Sequence, residues 1–335
     1  MVHRTEPAWQ TPVWQQALSS ALTDVDELFE YLQLDKSQLP ASIAAAEKFR
    51  LRVPRSYADL ITKGDPGDPL LLQILPGSEE LRKADGFSAD PLEELAKHQA
   101  AGVIHKYQGR ALLIVTGACA INCRYCFRRH YPYAEASAHQ GQWQPALEYL
   151  HKNKQISEVI LSGGDPLALH DGTLSKLVDA LQGIPHLKRL RIHSRMPVVL
   201  PERVTGELLD LLTRSHLQPV IVLHINHPRE LSEAARSSLE VLNAHGVTLL
   251  NQSVLLKNIN DEPALLARLS ETLFSARVIP YYLHMLDRVQ GAAHFEVSDA
   301  RAREIYQQLR EMVPGYLLPR LVRDNSETAY KLPIL

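Results

Sequence analysis

At 335 residues, with 45% hydrophobic and 22% charged side chains, the chain has the balance of an ordinary globular protein, not that of a disordered or collagen-like one. A formal charge of −2 excludes the strongly basic face that nucleic acid or an anionic membrane would require. No apolar run reaches the ~20 residues of a membrane span, and residues 1–7 (MVHRTEP) lack the apolar core of a signal peptide. A cytoplasmic protein with no nucleic-acid and no membrane partner is therefore expected, and the Asn251-Gln-Ser253 sequon is a chance match.

Residues 1–100 read as an N-terminal helical region. It holds a helix over 23–32 capped by Asp24, another over 42–49 ahead of Pro54, and a turn-rich break at 64–69 (GDPGDP). From 101 to 315 the pattern becomes regular, with short β-branched runs alternating with amphipathic stretches. The pairs are 111–116 with 143–152, 156–161 with 173–181, 187–193 with 204–214, 218–225 with 232–244, 247–251 with 264–276, and 277–284 with 298–312. Buried strands joined by crossover helices predict a parallel sheet with right-handed connections. Six such units are too few for an eight-fold barrel. They predict an α/β fold, a partial (β/α)6 TIM-like barrel, which residues 316–322 could extend; 316–335 form a short C-terminal segment. A doubly wound open sheet is the alternative the pattern leaves open.

In a barrel the chemistry gathers at the carboxyl ends of the strands. There lie Cys119, Gly163-Gly-Asp165, His193-Ser-Arg195, residues 224–227, Asn251-Gln252 and Asp287. Cys119, Cys123 and Cys126 are the chain's only cysteines; an odd number without a secretory signal argues against a disulfide framework. Structural zinc would need a fourth ligand such as His105 or His130. Such sites draw on two separated ligand pairs, so no structural zinc is expected. Three thiolates on one loop can instead hold three irons of a 4Fe–4S cluster and leave the fourth open to chemistry. The C-x3-C-x2-C spacing, with Tyr125 before the last cysteine, resembles the signature of the radical S-adenosylmethionine (SAM) superfamily.

Gly163 and Gly164 let a ligand approach the backbone where a Cβ would obstruct it. Asp165 beside them could receive an ammonium group, although Gly-Gly-Asp is also an ordinary tight turn. Next to the cysteine loop the trio resembles the superfamily's Gly-Gly-Glu-type element, which holds the methionine part of SAM. Arg128 and Arg129 follow the last cysteine. A guanidinium there could take a carboxylate in a bidentate fork, whereas Arg129 reads as part of a solvated basic loop.

Residues 107–129 (YQGRALLIVTGACAINCRYCFRR), SGGDPL, HSRMPVVLPERVT, HINHP, NQSVLL and LDRVQGAAHF resemble, in order and spacing, the lysine 2,3-aminomutase family of radical SAM enzymes. The similarity runs from about Phe49 to the C-terminus, and is greatest to the short homologues that serve β-lysylation of bacterial elongation factor P. The resemblance implies the partial barrel, a 4Fe–4S cluster on Cys119, Cys123 and Cys126, and SAM at Gly163, Gly164 and Asp165. It also implies pyridoxal 5'-phosphate carried covalently by Lys331, with Asp324 seven residues before it and the phosphate near Tyr107, Arg110 and Gln252. Lys331 is thereby the implied catalytic residue. Nothing in local pattern singles it out, and its amine must be neutral to attack, as desolvation or a neighbouring cation would arrange.

By the same resemblance Arg128 meets the substrate carboxylate, and Asp287 and Asp324 meet the side-chain ammonium of lysine; two acids around one cation make a selective site. Asp287 can also be read as a strand-end turn residue bonded to its own backbone. The implied activity converts L-lysine, free or on elongation factor P, to β-lysine. It uses an electron donor such as flavodoxin or ferredoxin and links functionally to the elongation factor P lysylating ligase. An aminomutase for another amino acid such as glutamate, or a non-catalytic iron–sulfur protein, are the rival readings. Two features depart from the family: residues 325–330 (NSETAY) stand where it has a glycine-rich turn, and the sequence stops four residues after Lys331. The cysteine-bearing zinc extension of the free-lysine enzymes is absent, so their zinc-dependent assembly is not expected.

Overall fold

The computed structural model describes residues 12–136 and 143–334; the segment 1–7 read for a signal peptide lies outside them. Ten strands form one sheet in unbroken sequence order. They are β1 (His98–Ala100), β2 (Val103–Tyr107), β3 (Arg110–Thr116), β4 (Glu158–Gly163), β5 (Arg189–Ser194), β6 (Gln218–Leu223), β7 (Thr248–Val254), β8 (Ile279–His284), β9 (Arg320–Arg323) and β10 (Leu332–Pro333). From β3 to β9 every pairing is parallel, while β1 and β2 precede and β10 follows as antiparallel additions. Because each strand lies beside its predecessor, the order never reverses, and the doubly wound alternative, which requires such a reversal, is excluded. All six predicted strand–helix units are present, and the predicted extension is β9.

The crossover helices Gln144–Lys152, Asp171–Gln182, Gly206–Thr213, Glu233–Ala244, Pro263–Ser275 and Asp299–Met312 each lay an apolar stripe on the sheet. Leu174, Leu177, Val178 and Leu181 are one such stripe at helical spacing. Several begin on a side-chain cap, such as Thr205 Oγ1 accepting the Leu208 N–H at 3.2 Å and Ser232 Oγ that of Ala235 at 3.1 Å, which satisfies donors a helix start leaves orphaned. β4 is buried along its whole length. In β5 Leu190 and Ile192 are buried, while Arg191 and His193 turn to the barrel's inner face and line a cavity there.

The N-terminal helices Val13–Ser19, Val25–Leu32 and Leu39–Lys48 include the expected capped one, Asp24 Oδ1 accepting the Glu27 N–H at 3.0 Å. Trp14, Leu28, Phe29 and Tyr57 from this region share one continuous core with Leu113, Leu161, Ile192 and Ile221 of the barrel strands. Two smaller clusters complete the interior, one joining Ile305 and Leu309 to Leu283 and Leu321, the other packing Tyr125 against Leu286, Val289 and Phe295. Among the described residues no helix is long and apolar enough to cross a membrane.

Candidate active site

A cavity of about 270 Å³ opens at the carboxyl ends of the parallel strands, and every site residue expected from the sequence lines it: Cys119, Cys123, Cys126, Tyr107, Arg110, Gln252, Gly163, Gly164, Asp165, Arg128, Asp287, Asp324 and Lys331. The barrel's curvature thus brings the loop after β3 to the segment after β9. His105 and His130 are not in its wall; their rings bond Tyr149 Oη at 2.7 Å and the Gln290 carbonyl at 3.1 Å.

The cysteine loop hangs on buried ion pairs. Arg124 donates from Nε and Nη2 to Glu80 at 2.7 and 2.5 Å, and Arg129 Nη2 reaches the same carboxylate at 2.5 Å. Arg129 is therefore not a solvated loop residue: its side chain is 2% exposed and also donates to the Arg124 and Gly291 carbonyls at 3.0 and 3.1 Å. The shared anion of Glu80 draws it inward. Burial and the neighbouring Cys123 push the Cys126 thiol up to about 11, and burial, then Cys126, raises Cys119. The thiols are thus mutually close, yet among the described residues no three potential ligands converge on a single-ion position.

The two glycines, both in the cavity wall, are also required by the backbone packed against them. A Cβ on Gly163 would stand 2.4 Å from the Thr116 carbonyl oxygen and one on Gly164 2.4 Å from that of Ala118, so what they admit is the backbone leading into the cysteine loop. The Gly164 and Asp165 N–H groups donate to those same two carbonyls at 2.7 and 2.8 Å. Gly163 also has φ +121°, a conformation open to glycine alone. Asp165 is not a free acceptor. Its carboxylate takes Ser194 Oγ at 2.7 Å and the N–H groups of Leu167, Arg195 and Met196 at 3.0, 2.8 and 3.2 Å, which fills its lone pairs and ties the end of β4 to that of β5.

Arg128 is buried, and its guanidinium is already forked: Nε and Nη2 donate to Glu94 at 2.7 Å each, and Nη1 to Ser162 Oγ at 2.9 Å and the Gly163 carbonyl at 3.3 Å. Five N–H donors leave one for a ligand. Across the cavity Asp324 binds two lysines, Lys106 and Lys331, with Tyr107 Oη at 3.4 Å. Despite burial, these cations hold its carboxyl down at about 2. Lys331 is held as an ammonium. Burial would lower its proton affinity, but Asp324 outweighs burial and raises it, the opposite of the neutral amine expected. Asp287 has no side-chain hydrogen bond among the described residues, and burial followed by Asp324 pushes it up to about 7. Arg110 lies 3.9 Å over the Tyr107 ring, and Gln252 bonds the His224 ring at 2.6 Å. Where a glycine-rich turn was expected, Asn325 Oδ1 accepts the Thr328 N–H at 3.1 Å and Oγ1 at 2.7 Å, a side-chain-closed turn that needs no glycine.

Residues 113–269 match the model of the radical SAM superfamily. The chain is 51% identical to the L-lysine 2,3-aminomutase of Escherichia coli (strain K12), over 96% of its own length and 94% of that protein. It is 48% identical to the enzyme of that name from Haemophilus influenzae, over 93% and 92%. The chain belongs to the radical SAM lysine 2,3-aminomutase family. A glutamate 2,3-aminomutase of Clostridioides difficile (strain 630) is also similar, at 32% identity over 100% of this chain and 79% of that one.

Lysine 2,3-aminomutases are isomerases, and their cofactors are a 4Fe–4S cluster, SAM and pyridoxal 5'-phosphate. The donors here suit the cluster and the pyridoxal group. Three cysteines on one loop, all in the cavity wall, suit a multi-iron cluster. Lys106, Arg110 and Tyr107 within reach of Lys331's cavity suit a phosphate-bearing aldehyde. Three buried atoms of wall residues, Arg191 Nε, His193 Nε2 and Arg195 Nε, have no hydrogen-bond partner among the described residues, as in a cavity shaped for a polar occupant. Sequence reasoning misses Glu94 and Lys106, and marks Arg195 only by its place at a strand end. Glu94 follows another acid in a helical-looking stretch, and nothing local marks it as the partner of a residue 34 positions away.

Proposed function

We propose that the chain is an L-lysine 2,3-aminomutase using all three family cofactors, and that it supplies β-lysine for modification of elongation factor P. The observation that carries the substrate is Asp287, a half-buried carboxylate in the cavity wall with no side-chain hydrogen bond among the described residues, set beside Asp324. Such a group costs stability unless a ligand cation meets it, and the terminal ammonium of lysine is such a cation. A glutamate side chain would bring a third carboxylate to two, which like-charge repulsion disfavours.

When bound, the cluster and SAM supply a radical that removes and returns a hydrogen, and pyridoxal phosphate carries the migrating amino group. The protein's part is to bind and align. Cys119, Cys123 and Cys126 would hold the cluster, and Lys331 the pyridoxal group, with Lys106, Arg110, Tyr107 and Gln252 about its phosphate. Gly163 and Gly164 bring the cluster loop against β4, and Asp165 orders the neighbouring strand end. Arg128 would meet the substrate carboxylate with its remaining N–H, or in place of Glu94. Lys331 must lose its proton before it can react, and its ion pair with Asp324 opposes that loss until a ligand disturbs the pair.

The elongation factor P role rests on the resemblance to the short homologues. It brings with it a cytoplasmic setting, a flavodoxin- or ferredoxin-type reductant and a lysylating ligase acting on the product. Anaerobic incubation of the reconstituted protein with lysine or glutamate, read by mass spectrometry of derivatised products, tests the substrate. β-Lysine is expected; turnover of glutamate with lysine inert overturns the reading. For the cellular role, deleting the gene should remove the β-lysyl mass increment from elongation factor P, and an unchanged mass counts against it.

A further inference from the structure

Side chains from separate stretches of the chain converge behind Cys123. Arg195, just past β5, donates through Nη1 to Cys123 Sγ at 2.8 Å and Tyr125 Oη at 3.1 Å. Through Nη2 it reaches Gln73 Oε1 at 2.7 Å, Glu230 Oε2 at 2.8 Å and Tyr57 Oη at 3.4 Å. Arg195 is 5% exposed, and Glu230 and Gln73 are fully buried. The other oxygen of Glu230 accepts from Gln73 Nε2 at 3.1 Å and from the N–H groups of Asn226 and His227 at 2.9 and 3.0 Å. Asn226 Nδ2 in turn donates to Tyr125 Oη at 2.7 Å. Partners on both terminal nitrogens hold the guanidinium plane, and one of its edges faces the sulfur.

An ion pair built for stability alone would need only Arg195 and Glu230. The bond to Cys123 is a separate matter, because donors to cluster-bound sulfur and the net charge around it set a cluster's reduction potential, and such outer partners tune a metal site without touching the metal. We propose that Arg195 is a positioning residue for electron transfer, which by keeping a cationic hydrogen bond on Cys123 Sγ raises the reduction potential of the cluster and eases its one-electron reduction. Reduction adds negative charge to the cluster, and a fixed positive donor stabilises the reduced state more than the oxidised one. Glu230 works in the opposite sense by offsetting part of that charge. Tyr57 and Gln73 connect the N-terminal helical region directly to the redox centre, and Tyr125, the aromatic within the cysteine motif, serves as a hydrogen-bonding spacer between Arg195 and Asn226.

The test is potentiometric titration of the full-length protein, reconstituted anaerobically without SAM or substrate and followed by electron paramagnetic resonance, so turnover is not involved. Arg195→Gln should retain its iron and titrate at a more negative potential. The expected change is roughly tenfold in the one-electron equilibrium, about 59 mV. Arg195→Lys should recover part of the shift. Glu230→Gln, which leaves the guanidinium charge less compensated, should shift the potential the other way. Unchanged potentials in both glutamine variants, or shifts of the same sign, overturn the proposal. Should Arg195→Gln fail to keep a cluster, the sign for Glu230→Gln decides alone: a positive shift supports the role, and no shift or a negative one removes it.

Discussion

Asp287 carries a pH dependence whose sign follows from its surroundings. With its pKa pushed up to about 7 by burial and Asp324, the folded chain keeps this proton to a higher pH than the unfolded chain. Between about pH 4 and 7 the folded state therefore binds more protons, so this group's contribution to stability falls as pH rises through that window. Asp287→Asn should be more stable than the parent near pH 8, by up to about 4 kcal/mol, with the difference gone near pH 4. Denaturant titrations at the two pH values check it. In the proposed reading only the ionised acid receives the ammonium, so the parent's activity should climb on the alkaline side of pH ~7 and the asparagine variant should be inactive. Lys331→Ala should lose the visible absorbance of bound pyridoxal phosphate while keeping the iron–sulfur absorbance. Retention of the pyridoxal band would place the covalent site on another lysine.

At the scale of elements, Gly163 and Gly164 at the end of β4 meet the entry of the cysteine loop backbone to backbone. Gly164→Ala would drive a Cβ to 2.4 Å from the Ala118 carbonyl, and relief requires the loop to move away. The variant should fold with unchanged circular dichroism yet bind far less iron after reconstitution; iron retained in full would show that the loop tolerates the shift. The parallel strands are legible in the sequence because each is a β-branched run followed by an amphipathic helix. β1 (His-Gln-Ala) and β10 (Leu-Pro) are not legible, being too short and too weakly patterned to stand out from loops, and β2 carries His105 and Lys106 in its second half. The same contrast holds in the cavity. The cysteine spacing is legible locally. Lys331 is legible only by resemblance, and Glu94, which occupies most of the Arg128 fork, is not legible, because its partner is chosen by the fold and not by neighbours in sequence.

In the whole molecule the N-terminal region and the barrel share a core, and Trp14 shows the dependence most plainly. It is 1% exposed and lies under the fully buried Arg203, whose guanidinium sits 4.6 Å from the ring. Arg203 in turn holds the Leu167 carbonyl at 2.6 Å, just beyond β4. Trp14→Ala should cost about 3–5 kcal/mol and should lower the single unfolding midpoint of the entire chain. Two separated transitions, with only the first one shifted, would show that the N-terminal region melts independently. Because Tyr57 and Gln73 also brace Arg195, loosening this region should reach the cysteine loop before it reaches the C-terminal half.

Asp324 is one anion shared between two cations, Lys106 and Lys331, and that sharing imposes an order of loading. While Lys331 remains an ammonium, it competes for the carboxylate with any other positive group, which in the proposed reading would keep lysine's terminal ammonium from that side of the cavity. In the proposed reading, capture of the pyridoxal group by Lys331 would withdraw much of that competing charge and release part of Asp324 for the substrate. Linkage makes the effect reciprocal: cofactor occupancy tightens substrate, and substrate tightens the cofactor. On that reading the protein without pyridoxal phosphate would be a poor trap for lysine, protected from filling its pocket with a molecule it could not yet transform.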